Sequence, residues 1–313
     1  MNNKAVIVEA KRTPIGKVGG MLKDVSPEQL AAHVMKALIS ECGLSFGQVD
    51  EVILGNATGP GGNLARLALL TAGFPVEVPG VTVDRQCGSG LEAVNLAARL
   101  IQAGAGEFYV AGGVESTSQA PWKIEKPASL YKGAPRLFTR TRFSPVFREN
   151  GTVTAGNACP INDGAAVLLV MSERKARELG LVPVLEFVDA VSAGVDPNLL
   201  GIGPVPAVKK LLERQGMTVD EIDLVEFNEA FASQVIASLR ELGIPWDKVN
   251  VGGGAIALGH PYGASGAILV TRLVTRLVTE MSLHQATWGL ATLGIGGGLG
   301  LATLFKRYIQ DTC

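Results

Sequence analysis

The 313-residue chain carries 28 Lys+Arg against 29 Asp+Glu, a formal net charge of −1, and 47% of it is hydrophobic. Balanced charge with no basic run excludes a dedicated nucleic-acid binder, and no run of about eighteen apolar residues is present to span a membrane as a helix. The length allows one large domain or two of ordinary size.

Met1–Lys4 lacks the form of a secretory signal and leads straight into a predicted strand, Ala5–Glu9. After the loop Arg12–Gly16, Ser26 reads as an N-cap, with Pro27 at the first helical position and acidic Glu28 in the first turn of a helix ending near Glu41. Strand Val52–Leu54, helix Leu64–Ala72 and strand Val81–Val83 follow. Next comes a helical pattern with apolar positions at Leu91, Val94, Leu96, Ala97, Leu100 and Ile101, and then strand Phe108–Ala111, closed by Gly112 and Gly113. From Trp122 to Glu149 the periodicity lapses, and Pro127, Pro135 and Pro145 mark a surface excursion. Strand Ala165–Met171, helix Glu173–Leu179 and strand Pro183–Ala190 resume the alternation of an α/β protein.

The chain repeats itself. Leu38–Leu44 aligns without gaps on Leu211–Met217, and Val49–Val52 on Ile222–Val225, an offset of 173 residues. Ser89-Gly90 likewise resembles Ser265-Gly266. Two copies of one βα unit would bring two glycine-rich helix N-termini face to face, with a site between the halves.

Four cysteines, Cys42, Cys87, Cys159 and Cys313, show no CxxC or metal-ligand spacing, which predicts reduced thiols in a cytoplasm and no metal. Cys87 stands apart, on a sharp turn between strand and helix in Asp84-Arg85-Gln86-Cys87-Gly88-Ser89-Gly90. Unpaired N–H groups and the helix dipole at such a place favour a thiolate, and the two glycines leave room for a substrate. The competing reading is a buried structural cysteine.

A cysteine nucleophile needs a base of near-neutral pKa. Of the three histidines, only His260 lies in a glycine-flanked turn, Gly252–Pro261. His33 falls within a helix and His284 in a polar connection. Asn228, at the end of a strand in Val225–Phe231, is placed either to orient a water or carbonyl oxygen or simply to cap a helix. The run Gly294–Gly300 offers backbone N–H groups for an oxyanion hole, although a tight strand junction accounts for it as well.

The blocks DRQCGSGLEAV (84–94), VAGGVESTSQAP (110–121), NGTVTAGNA (150–158), INDGAA (161–166), VEFNEAFA (225–232) and GGGAIALGHPYGASGA (252–267) together resemble the thiolases, the acetyl-CoA acetyltransferases and 3-ketoacyl-CoA thiolases. That resemblance implies a five-layered α/β/α/β/α fold of two duplicated halves. The N-terminal half would be 1–121 completed by 150–182, with a shortened loop-domain remnant at 122–149 and the C-terminal half at 183–313. It implies Cys87 as the acylated nucleophile, His260 as its activator and Asn228 as holder of a water. The N–H groups of Cys87 and Gly296 would form a second oxyanion hole. Acyl-CoA or CoA would be the partner molecule, with no cofactor beyond the coenzyme A of the substrate. A homodimer is expected, paired through the strand after the nucleophile helix, in a protein of cytoplasmic fatty acid metabolism.

Three departures stand out. Gly294 occupies the position of the family's second cysteine, the acid/base that moves the α-proton. The loop domain, which in the family supplies much of the CoA site, is shortened. Cys159 replaces a serine at a position that the family places beside the pantetheine channel. A second reading follows, a thiolase-fold protein impaired in condensation that only binds, exchanges or hydrolyses thioesters.

Overall fold

The computed structural model of the protein describes residues 3–122, 152–277 and 286–310. The excursion read from the sequence between 122 and 149 therefore lies, from residue 123 onward, outside the described residues, as do His284 and Cys313. In the first half the elements are β1 (Ala5–Arg12), β2 (Gly16–Lys17), α1 (Pro27–Glu41), β3 (Glu51–Gly55), α2 (Leu64–Ala72), β4 (Gly80–Val83), α3 (Ser89–Ala103), β5 (Phe108–Ser116), β6 (Asn162–Ser172) and α4 (Glu173–Glu178). The second half contains β7 (Leu185–Gly194), α5 (Pro204–Gln215), β8 (Leu224–Phe227), α6 (Ala232–Leu242), α7 (Ala255–Leu258), α8 (Tyr262–Thr275), β9 (Trp288–Ile295) and β10 (Leu299–Arg307).

The strands run in the order β4-β3-β5-β6-β1-β7-β10-β9-β8, with β2 on β6. Order and direction repeat across the β1/β7 junction. The pair β3/β5 is parallel like β8/β9, and β5/β6 is antiparallel like β9/β10. The junction itself is thin, pairing Val6 with Glu186 and Ile7 with Leu185. Val52 of β3 and Val225 of β8 are partners in the 173-residue repeat, so the duplication seen in the sequence is the symmetry of the fold.

Alternation along the strands distributes the apolar side chains among three cores. Ala166, Leu168 and Val170 of β6 face α3 and α8, whose Leu91, Val94, Ala267 and Val270 also pack on Leu293 and Leu301 from the second half. The intervening Val167, Leu169 and Met171 face outward, against Leu30, Met35 and Leu69 of α1 and α2. In the second half, Phe227 and Leu304 turn outward against Val208 and Leu211 of α5 and Val235 and Leu239 of α6. The result is five layers: α1/α2, the first-half strands, α3/α8, the second-half strands, and α5/α6.

At the centre the backbones nearly touch. A Cβ on Gly266 would lie 2.3 Å from the Leu91 nitrogen, and one on Gly113 would lie 2.0 Å from the Gly263 carbonyl oxygen. Only glycine permits α3, α8 and β5 to approach so closely. This also explains a difference from the sequence reading. Gly112 and Gly113 do not end the strand but lie inside β5, which continues to Ser116.

A further correction concerns assembly. β5 is hydrogen-bonded on both sides, to β3 and to β6, so it has no free edge through which a second chain could pair. The first-half strand at the end of the sheet order is β4, on which Val81 is exposed. No helix among the described residues is long and apolar enough to cross a membrane.

Candidate active site

Strand β4 ends in a tight loop that holds Cys87 just before α3. Gln86 adopts a left-handed φ of 50°, uncommon for a residue with a side chain, and so turns the chain sharply at the cysteine. Ser89 holds the turn: its hydroxyl accepts from the Arg85 N–H at 2.9 Å and donates to the Gln86 carbonyl at 2.6 Å. Gly88 is the N-cap of α3. Its missing Cβ would lie 2.5 Å from Ile295 Cδ1, which brings the end of β9 against the cysteine turn.

His260 enters from the second half. Its segment is hydrogen-bonded back to the first: His260 N–H donates to Asn162 Oδ1 at 2.9 Å, beside a bridge between Ile161 and His260. The ring is buried, with Nδ1 2.7 Å from Ser265 Oγ and Nε2 3.5 Å from Asn228 Nδ2. With Asn228 presenting its NH2 group at that distance, Nε2 is the unprotonated nitrogen. The ring proton then belongs on Nδ1, donated to Ser265, and Nε2 keeps a lone pair for use as a base.

Asn228 is held by its N–H, which donates to the Thr292 carbonyl at 3.0 Å. The next residue, Glu229, accepts from Asn250 Nδ2 at 2.8 Å and from the Ile256 N–H at 3.1 Å, tying this strand end to α7. Cys159 is fixed against the same strand end. Its N–H donates to the Ala230 carbonyl at 3.0 Å, and Ala158 bridges Phe231.

These segments enclose a cavity of about 290 Å³ lined by Cys87, Cys159, His260, Gly294 and Gly296, with Tyr262, Phe231 and Ile161 among the other walls. Its size is at the low end for small-molecule sites. Five of the six residues singled out from the sequence therefore share one cavity. The sixth, Asn228, is not among the cavity's walls; it is buried, with its Nδ2 3.5 Å from His260 Nε2.

Electrostatics overturns one expectation. Helix placement alone favours a Cys87 thiolate, yet burial pushes this thiol up to about 12, with the Cys159 sulfur adding to the rise. The N–H groups of Gly296 and Cys87 itself hydrogen-bond to the sulfur and draw its pKa down, but by less than burial raises it. Burial also lowers His260 to about 4 and pushes Cys159 up to about 11. The resting site thus holds a neutral thiol and a neutral imidazole, not an ion pair.

Two residues escaped the sequence reading. Glu115, fully buried at the end of β5, accepts from Asn56 Nδ2 at 2.8 Å and from the N–H groups of Ala57, Thr58 and Gly263 at 3.0–3.1 Å. It thereby clamps the start of α8, just after His260, to the first half. Burial raises its carboxyl above the usual range, while bonds from Thr58, Ala57 and Gly263 oppose the rise. An acid in an otherwise apolar strand, Val114-Glu115-Ser116, was the available signal. Tyr262 packs its ring edge-on to His260 at 5.0 Å between centroids. Its phenol is raised to about 12, first by burial and then by Cys87 and Cys159. No local pattern marked it.

Residues 5–133 and 140–174 match the thiolase N-terminal domain family, and residues 181–307 match the thiolase C-terminal domain family. A Staphylococcus epidermidis protein named "Putative acetyl-CoA C-acetyltransferase VraB" is 42% identical, over 97% of this chain and 98% of its own length. Its Staphylococcus aureus namesake is 42% identical over 98% of this chain and 100% of its own. The first alignment runs over 383 positions against the 313 residues here, so at least the difference of 70 positions has no counterpart in this chain. Among solved structures, the crystal structure of Bacillus anthracis acetyl-CoA acetyltransferase superposes with a TM-score of 0.89 at 34% identity, covering 98% of this chain and 100% of that one.

Proposed function

Because this chain belongs to the thiolase family, both of whose domain families it matches, we propose that it is an acyltransferase working on acyl-CoA thioesters through an acyl-enzyme at Cys87. The observation that carries this reading is the shared cavity, where the Cys87 sulfur, the His260 ring and the Gly296 N–H converge. With both groups neutral at rest, the Cys87 sulfur attacks the thioester carbonyl carbon while its proton passes to His260 Nε2. The carbonyl oxygen, now an oxyanion, is stabilised by the N–H groups of Cys87 and Gly296. When the carbonyl re-forms, the coenzyme sulfur leaves and takes the proton from His260. The products are acylated Cys87 and free CoA thiol, with a neutral imidazole restored. Asn228 holds the His260 ring in position and, in this reading, helps a water serve as a second oxyanion donor.

Intact-protein and peptide mass spectrometry after incubation with acetyl-CoA tests the reading. An acetyl adduct on the Cys87 peptide is expected; its absence from Cys87 would reject the assignment. A second reading, limited to exchange or hydrolysis of thioesters, is favoured by Gly294, which has no side chain to move a proton at carbon. The two readings share the acyl-enzyme and part only at the carbon acid.

We also propose a homodimer that pairs through the exposed edge of β4. Light scattering should give twice the chain mass. Val81→Lys, which sets a charge on that edge, should shift the protein to the monomer. A wild-type monomer would rule the pairing out.

A further inference from the structure

Making or breaking a carbon–carbon bond next to a thioester requires a proton to be delivered to, or removed from, the α-carbon. Among the described residues lining the cavity, the titratable groups are Cys87, Cys159, His260 and Tyr262. Cys87 is committed as the nucleophile. His260 is committed through both nitrogens, to Ser265 and toward Asn228 and the cysteine proton. Gly294 contributes no titratable atom. Glu115, a carboxylate that raises the Cys87 thiol, is saturated by hydrogen bonds from Asn56, Ala57, Thr58 and Gly263. That leaves Cys159 and Tyr262.

The backbone favours Cys159. Its N–H is bound to the Ala230 carbonyl, Ala158 bridges Phe231, and Ile161 bridges His260. The chain at 158–161 is thus laced to the strand end carrying Asn228 on one side and to the histidine turn on the other. Cys159 is held between them with its side chain on the cavity that Cys87 lines. Its sulfur faces the same cavity as the Cys87 sulfur and lies near enough for a thiolate there to raise the Cys87 thiol. Tyr262, by contrast, stacks its ring edge on His260 and takes its position from that ring.

We infer that Cys159 is the second proton-transfer group of this chain, a catalytic thiol that takes over at the α-carbon the work Gly294 cannot perform. The inference rests on the acyl-enzyme reading above. In thiolysis, Cys87 adds to the 3-keto carbon of a 3-ketoacyl-CoA. The bond between C2 and C3 breaks, its electron pair goes to C2 as an enolate, and the Cys159 S–H proton passes to C2 to release acetyl-CoA. An entering CoA thiol gives its proton to the Cys159 thiolate, and its sulfur attacks the acyl group on Cys87. Cys87 departs and recovers its proton from His260. Burial keeps Cys159 protonated, the form that this direction needs first. Condensation is the same path reversed.

The test uses the full-length reduced protein and its Cys159→Ala, Cys159→Ser and Tyr262→Phe variants. Three readouts separate the steps: acetyl adduct on Cys87, acetoacetyl-CoA thiolysis, and deuterium exchange into the methyl group of acetyl-CoA in heavy water. Loss of a positioned acid/base predicts a fall of about 10²–10⁴-fold in thiolysis and exchange for both Cys159 variants. Cys87 should still acquire the adduct in those variants, and Tyr262→Phe, which keeps the ring on His260, should lose less thiolysis than either Cys159 variant. Four results overturn the inference: Cys159→Ala turning over within about tenfold of wild type, loss of acylation together with thiolysis in that variant, the main defect falling on Tyr262→Phe, or a wild type that acylates without any thiolysis. A wild type that takes no adduct on Cys87 instead brings down the acyl-enzyme reading, and the Cys159 step with it.

Discussion

Cys87→Ala is expected to lower acetoacetyl-CoA thiolysis by about 10⁴-fold or more, to the residual level that binding and the oxyanion hole alone support. The reason is the number of steps that run through one sulfur. In the proposed mechanism it forms the new bond, accepts the acyl group and leaves again, and its sulfur shares the cavity with the His260 ring while accepting from the Gly296 N–H. Among the described residues the rival thiol on the cavity is Cys159. An acetyl adduct on Cys159 with sustained thiolysis in the Cys87→Ala protein would therefore reverse the assignment. The site geometry adds a second expectation. Since burial pushes Cys87 to about 12, its alkylation by iodoacetamide in the free protein should keep rising as pH passes through 9, with no plateau near neutrality. A plateau below pH 8 would mean that the thiolate is already stabilised at rest.

His260→Ala is expected to lower acetylation of Cys87 by about 10²–10⁴-fold, the usual contribution of one positioned base. The pH profile gives the sign. Burial lowers the imidazole from its ordinary 6.5 to about 4, so the base form is present above that value and is lost as pH falls through it. The acid limb of kcat/KM, which reports the free enzyme, should thus lie near 4 and not near 6.5. In the alanine variant that limb should vanish, and the slow residual rate should climb with pH as thiolate forms unaided. An acid limb near 6.5 in the wild type would show a solvated imidazole and contradict the buried site. Folding carries the same signature. The unfolded imidazole takes its proton near 6.5 and the folded one only near 4, so this residue's contribution to stability is present above 6.5 and declines as pH drops toward 4.

Much of the site was legible because its parts are written locally. A strand ending in Cys87 with glycines at 88 and 90 is a turn signal that needs no knowledge of the rest of the chain. The same holds for the glycine-flanked His260 and for Asn228 at the end of β8. The 173-residue repeat was legible too, because equal helices and strands require equal periodicities, and it foretold that two helix N-termini would meet. They do meet, where Gly266 leaves space for Leu91. Gly112 and Gly113 misled for an instructive reason. Glycine marks both chain turns and close backbone contacts, and here the partners causing the contacts, Ala166 for Gly112 and Gly263 for Gly113, lie far along the sequence.

The sequence by itself determined the family, the duplicated α/β plan and the residues that meet at the cavity, since each rests on short-range spacing or on an ordered set of blocks. Only the tertiary structure decided how those residues are charged and what surrounds them. The Cys87 thiol is neutral because of the summed burial around its sulfur, which outweighs the local helix dipole that the sequence does reveal. Glu115 matters because it receives the Gly263 N–H from 148 residues away. β5 cannot serve as a pairing edge because β3 and β6, one before it and one well after it, occupy both its sides. Cys159 shares a cavity with Cys87 and His260 because the chain at 158–161 bridges Phe231 and His260 at once. Each of these is a sum over neighbours distant in sequence, and desolvation, edge exposure and cavity membership exist only once the chain has closed on itself.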